Sequence, residues 1–151
     1  MLFHRAPKNT VRTIQTYCRA AKKEIITLIE SGIIYFGVGG ALGFDTIAAL
    51  TVLNLKEKYP QIKLIMVLPC IEQADSWSKD DVKIYNQILG QADKVVYTSE
   101  HYHSGCIHKR NRHFADNSSV CICYLADSKG GTAYIVNYAQ QKGSQIINIS
   151  L

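Results

Sequence analysis

Ile33-Ile34-Tyr35-Phe36-Gly37-Val38-Gly39-Gly40-Ala41-Leu42-Gly43-Phe44-Asp45-Thr46-Ile47-Ala48-Ala49 is the stretch on which the reading of the whole chain turns. It opens with β-branched and aromatic residues, passes through glycines and continues into helix formers, the order of a strand, a turn and a helix start. Gly37, Gly39, Gly40 and Gly43 leave no side chain between main chain and ligand, and the first N–H groups of a helix are free to meet an anion. The predicted unit is therefore a phosphate cradle on the carboxyl end of a strand. The spacing fits neither GxGxxG nor the lysine-containing P-loop, so a plain tight turn stays open as the alternative.

The flanking sequence repeats the alternation. Val11, Ile14, Cys18, Ala21, Ile25 and Leu28 recur at helical spacing up to Ser31-Gly32, with Arg12, Arg19, Lys22 and Lys23 on a wet basic side. Asp45 to Lys58 is apolar nearly all round, the pattern of a buried helix. Residues 62–68 form a continuous apolar run between prolines, as in a strand covered on both faces. Ser78 and Asp81 make a capping-box-like start for a helix carrying Val82, Tyr85, Ile88 and Leu89. Strands follow at 94–98, 119–125 and 145–150, separated by helices near 107–117 and 133–142. Met1 to Phe3 reads as the stub of a further strand, which Pro7 stops. The expected fold is α/β, a Rossmann-like and mostly parallel sheet with helices on both faces and a truncated first strand, forming one domain over residues 1–151.

Composition limits the function. The 151 residues, 47% hydrophobic, suffice for one core, and 17 Lys+Arg against 12 Asp+Glu leave a charge of +5 that is too small to argue for nucleic acid unless clustered. Five cysteines without CxxC spacing and no signal-like opening point to a reducing cytoplasm. The most apolar window, 32–44, is broken by glycine and too short to span a bilayer, so no membrane partner is expected.

In parallel sheets ligands sit where loops leave the carboxyl ends of the strands, which singles out loops 37–43, 69–77, 99–107 and 125–131. His108-Lys109-Arg110-Asn111-Arg112-His113 crowds cations at the positive end of a helix dipole, with Asp116 at the negative end. A bound anion pairing with Arg110 or Arg112 and accepting bonds from the exposed N–H groups would resolve that conflict; solvent or carboxylates such as Glu100 and Asp116 are the alternative. Gly130-Gly131-Thr132 is a second glycine turn into a helix, with Thr132 free to cap it or to donate to a phosphate. Trp77 and Tyr102 lie in loops at the same edge, where they could stack on a base or simply pack. His101, His103, Cys106 and His108 match no zinc spacing, and Lys109 and Arg110 beside them repel a cation, so no metal is expected. Cys70 and Cys106 are weak candidates for a nucleophile, since no partner base is visible.

Taken together, FHRAP, GGALGFDTIAA, KLIMVLPC, GCIHKRNRHFAD, CICYL and KGGTAYIVNYAQQKG resemble the YpsA-like family of the SLOG superfamily along nearly the whole chain. The resemblance implies a Rossmann-like domain binding a nucleotide-derived ligand or nucleic acid at its glycine-rich edge. By motif position it implies ligand contacts from Gly39, Gly40, Gly43 and Asp45, from Arg110 and Arg112, and from Gly130, Gly131 and Thr132, with His4-Arg5 matching an opening Gly-His-Arg-like motif. Phe3 stands where that motif has glycine, and a missing first strand would leave an edge for another subunit to cover. Tyr134 and Tyr138, four apart on the last helix, form either an interface stripe or a partly buried pair.

Lonely Guy phosphoribohydrolases, relatives in that superfamily, place a glutamate shortly after a GGxGT turn; here Ala133, Tyr134, Ile135 and Val136 follow, which disfavours N-glycosidic hydrolysis. Asp45 could act as a general acid or base if the bound base came close, and it serves equally as charge compensation at a helix start. The leading expectation is a cytoplasmic sensor or adaptor binding a phosphorylated nucleoside or ADP-ribose-like ligand, with no required cofactor and no assigned catalytic residue. A nucleotide hydrolase and single-stranded DNA binding, as in DNA-processing protein A, are the rivals.

Overall fold

The computed structural model describes residues 2–4 and 11–150. Its elements run β1 (Leu2–His4), α1 (Val11–Glu30), β2 (Tyr35–Val38), α2 (Phe44–Leu55), β3 (Lys63–Leu68), a 3₁₀ turn at Ile71–Ala74, α3 (Lys79–Gln91), β4 (Lys94–Tyr97), α4 (Cys106–Asp116), β5 (Val120–Tyr124), α5 (Gly131–Gln141) and β6 (Gln145–Asn148). Every ladder is parallel, as the apolar strands and helical crossovers require.

The ladders form two three-stranded sheets, β1-β5-β6 and β2-β3-β4. Since β1 also lies against β2, the strands follow the order β4-β3-β2-β1-β5-β6. The chain thus winds outward from β1 in one direction, then returns to its other side, and the order reverses between β1 and β5. The short first strand stands at the seam between the two sheets: it pairs with β5, Leu2 opposite Ile122 and His4 opposite Tyr124, and lies against β2 with no ladder between them among the described residues. Arg5 lies outside the described residues, and of His4 only the backbone is described.

Alternation along the strands sorts the two faces. Phe36, Val38, Leu64, Met66 and Ile122 point into a core shared with α1, α2 and α3, whereas Val67, Cys121 and Cys123 point to α4 and α5. Ser78 caps α3 as expected, its Oγ accepting from the Asp81 N–H at 3.2 Å. All five cysteines are free thiols, and no helix among the described residues is long and apolar enough to cross a membrane.

Candidate functional site at the carboxyl edge

The glycine turn after β2 is built around close approaches. Gly39 and Gly40 are buried, and a Cβ on Gly39 would run into Arg110 Nη1 and, at 2.8 Å, Asp45 Oδ2. Gly40 has φ of +73°, and a Cβ there would meet Leu68 Cδ2 at 2.7 Å, so both backbone freedom and lack of a side chain are needed. Gly43 precedes α2 with φ of 92°.

Two charged side chains are buried beneath this turn, Asp45 at 5% and Arg110 at 5% exposure. Arg110 Nη1 donates to the Gly39 carbonyl at 2.6 Å, and its Nε donates to Asn111 Oδ1 at 2.8 Å. Asp45 Oδ2 accepts the Ala41 N–H at 3.1 Å, closing the turn from within. Burial pushes the Asp45 carboxyl up to about 6, against the opposing pull of Arg110 and the Ala41 N–H. Burial likewise draws the Arg110 guanidinium below its ordinary value, opposed by Asp45.

Two residues that sequence reasoning missed complete the cluster. Gln73 Nε2 reaches the same Gly39 carbonyl at 3.4 Å, and Tyr85 packs under Gly40. Among the described residues three buried polar atoms lack a hydrogen-bond partner, Asp45 Oδ1, Gln73 Oε1 and Tyr85 Oη, and all three surround this turn. Uncompensated acceptors are costly, and their concentration in one spot marks it as a polar site rather than core. Gln73 carried no signal beyond its place in loop 69–77, and Tyr85 was read only as an apolar helix position.

Helix geometry separates the basic run of α4. Successive residues turn by about 100°, so 106, 110 and 114 form an inner face while 109, 112, 113 and 116 form an outer one. Arg110 is therefore buried under the glycine turn, whereas Arg112 is exposed and lines an open groove of about 420 Å³ with Lys109, His113 and Tyr97. The expected pairing of Arg110 with Arg112 in one pocket is corrected on this ground. His108 points a third way, its ring 5.8 Å from that of Tyr134 in α5.

That contact sets the starts of α4 and α5 side by side. Gly130, with φ of 96°, precedes α5; Gly131 is exposed and Thr132 half-buried. The α5 start makes no side-chain cap bond, so no side chain satisfies its first main-chain N–H groups. Helix α4 thus links the two glycine turns, through Arg110 to the first and through His108 to the second.

Trp77 borders a hollow of about 20 Å³ with Gly40, Asp45 and Tyr85, and its ring meets Tyr85 edge-on at 5.2 Å. That space holds a water-sized group, not a base, so Trp77 as placed packs rather than stacks on ligand. Tyr102 stands 69% exposed, its N–H bonded to Glu72 Oε2 at 3.1 Å. The four metal candidates diverge: His101 pairs with Glu72 at 2.6 Å, His103 with Ser99 at 2.9 Å, His108 with Tyr134, and Cys106 is buried. Among the described residues no cluster fit to hold a metal ion occurs. Cys70 is also buried, which pushes its thiol up and leaves it a poor nucleophile.

A parallel, doubly wound sheet with glycine turns at its carboxyl edge defines a Rossmann-like class of domain. Within that class the chain belongs to the YpsA group of SLOG proteins, since the family model described as the YspA SLOG family matches residues 6–150. A UPF0398 protein of Bacillus cereus strain ATCC 14579 is 32% identical over 139 residues, covering 90% of this chain and 76% of that one. A UPF0398 protein of Bacillus thuringiensis strain Al Hakam is 30% identical over the same length. Among solved structures, DNA processing protein A from Helicobacter pylori, described for its single-stranded DNA binding mode, superposes with a TM-score of 0.63 at 22% identity. The match covers 96% of this chain but only 62% of that protein, and at this identity it speaks for the fold.

Proposed function

We propose that the chain is a cytoplasmic sensor or adaptor that binds a phosphorylated nucleoside or ADP-ribose-like ligand across the carboxyl edge, without a cofactor. The observation that carries this reading is that α4 ties two glycine turns together at one edge, Arg110 holding Gly39 and His108 meeting Tyr134. The N–H groups at Gly131 and Thr132, close in sequence to exposed Lys129, suit the phosphate. Asp45, Gln73 and Tyr85 supply acceptors under the first turn, which suit ligand N–H or O–H groups once the turn opens. Arg110, bonded to the main chain, supports the turn instead of presenting a free fork. Catalysis is no part of this reading, because Asp45, the acid beneath the turn, is held by the Ala41 N–H.

Equilibrium binding of AMP, ADP-ribose, NAD and cyclic nucleotides, followed by calorimetry, tests it. Saturable binding of one of them, weakened at least about tenfold by Gly131→Asp, which sets a carboxylate against the phosphate, is the expected result. No binding across the panel, or binding indifferent to Gly131→Asp, rejects the proposal.

A second reading is favoured by the outer face of α4. Lys109, Arg112 and His113 flank exposed Tyr97, with Tyr102 nearby in sequence, a cationic surface with aromatic rings of the kind that tracks single strands. It predicts oligonucleotide binding that falls steeply with salt and is indifferent to Gly131→Asp.

A further inference from the structure

The loop between β4 and α4, residues 98–105, lies outside both glycine turns and is pinned along its length. The Thr98 N–H donates to the Leu68 carbonyl at 2.9 Å, and the Glu100 carbonyl accepts the Ile71 N–H at 3.1 Å. Glu72 takes the Tyr102 N–H on one carboxylate oxygen at 3.1 Å and the His101 ring on the other at 2.6 Å. The Cys106 N–H closes back on the His103 carbonyl at 3.1 Å. A loop held at each step presents its side chains in fixed directions.

Two of those side chains meet a third from α4. Ser99 Oγ lies 2.9 Å from His103 Nε2, and Lys109 Nζ donates to the same oxygen at 3.4 Å. On the far side of the ring, His103 Nδ1 lies 2.9 Å from the Ser104 carbonyl oxygen. A carbonyl only accepts, so Nδ1 carries the imidazole hydrogen and Nε2 keeps its lone pair for the Ser99 hydroxyl. A hydroxyl on a base, the base oriented by a third group, and a cation against the oxygen are the parts of an activated nucleophile.

The same lysine fixes what could reach it. Lys109 and Thr98 line the open groove of about 420 Å³ that passes Tyr97 and Arg112, so the groove leads to Ser99. Asp116, two turns further along α4, is engaged by Tyr138 and Lys142, which leaves Lys109 and Arg112 to set the charge near Ser99. A ring at the wall and cations beside it suit an apolar chain that carries a carboxylate.

We propose that Ser99 and His103 form a nucleophile–base pair that takes the acyl group of a carboxylate-bearing ester seated in this groove. Ser99 Oγ bonds to the carbonyl carbon as the ester C–O bond breaks, and the hydroxyl proton passes to His103 Nε2 and from there to the departing alkoxide. Water, deprotonated by His103, then attacks the acyl carbon; the bond to Oγ breaks, the proton returns to Ser99, and the free acid leaves. Lys109 steadies the charge that Oγ develops, and the positive end of α4, where no side chain caps the first N–H groups, steadies that on the carbonyl oxygen. The pair faces solvent, so turnover is slow. The inference is independent of the nucleotide reading, which uses the glycine turns.

Mono-4-nitrophenyl adipate, compared with 4-nitrophenyl hexanoate of equal chain length and the same leaving group, tests it. Release of 4-nitrophenolate times the reaction, peptide mass mapping locates the acyl group, and circular dichroism checks that each variant is folded. The expected result is an adipoyl group on Ser99, formed at least about threefold faster than hexanoyl. His103→Ala should slow acylation of Ser99 at least about tenfold, and free imidazole should restore part of that rate. Arg112→Ala should remove the preference for adipate. Acylation confined to amino groups, no acylation, or Ser99 labelling that His103→Ala leaves unchanged overturns the proposal.

Discussion

Arg110 Nη1 donates a 2.6 Å hydrogen bond to the carbonyl oxygen of Gly39, tying the first turns of α4 to the loop that follows β2. The bond is charge-assisted, buried, and spans 71 residues of sequence. Arg110→Ala is expected to cost about 2–4 kcal/mol, because it strips Gly39 of its strong donor and leaves Asp45 without a neighbouring cation. Urea denaturation measures this, and Arg110→Lys should recover part of it. A loss under about 0.5 kcal/mol would show that the turn holds itself.

Asp45 makes stability depend on pH in the unusual direction for a carboxylate. Its folded value of about 6 lies above the ordinary 3.8, so between these limits the folded chain holds more protons than the unfolded one. As far as this group is concerned, stability should therefore be highest below about pH 3.8 and fall by about 3 kcal/mol as pH rises from there through 6. Asp45→Asn keeps an acceptor for the Ala41 N–H and should flatten that slope. Equal slopes in the two proteins would contradict the assignment.

Glycines in the two turns should respond differently to alanine. Gly39→Ala drives a methyl into Arg110 and Asp45, and a loss of about 1–3 kcal/mol is expected. At Gly131 nothing lies within 4 Å of an added Cβ, and the residue opens a helix, so Gly131→Ala should be neutral or stabilising by up to about 1 kcal/mol. Thermal melts of the pair separate packing from turn geometry.

Arg112→Glu reverses an exposed charge on the outer face of α4 and should change stability by less than about 0.5 kcal/mol. If the groove beside it holds a single strand, the same change weakens oligonucleotide binding and makes the salt slope shallower. If the ligand is a nucleotide at the α5 start, AMP binding is unaffected. Fluorescence anisotropy with a labelled oligonucleotide and AMP calorimetry decide between these outcomes.

Much of the fold was legible in the chain alone. The apolar run Leu64–Leu68 announced a strand buried on both faces, Ser78 and Asp81 announced the start of α3, and the glycines after Val38 and Lys129 announced where helices begin. These are local matters of periodicity, capping and backbone freedom, which neighbouring residues settle among themselves. Tertiary structure decided the rest. Sequence places Arg110 and Arg112 in one cationic run, but a helix turns by about 200° between them, and only packing against β3 and the glycine turn determines which side is inside. The convergence of Asp45, Gln73, Tyr85 and Arg110 on Gly39 and Gly40 depends on three separate crossovers meeting at one edge of a parallel sheet. The place of β1, paired with β5 and set against β2, depends on which strands become its neighbours, and no property of Leu2, Phe3 or His4 encodes that choice.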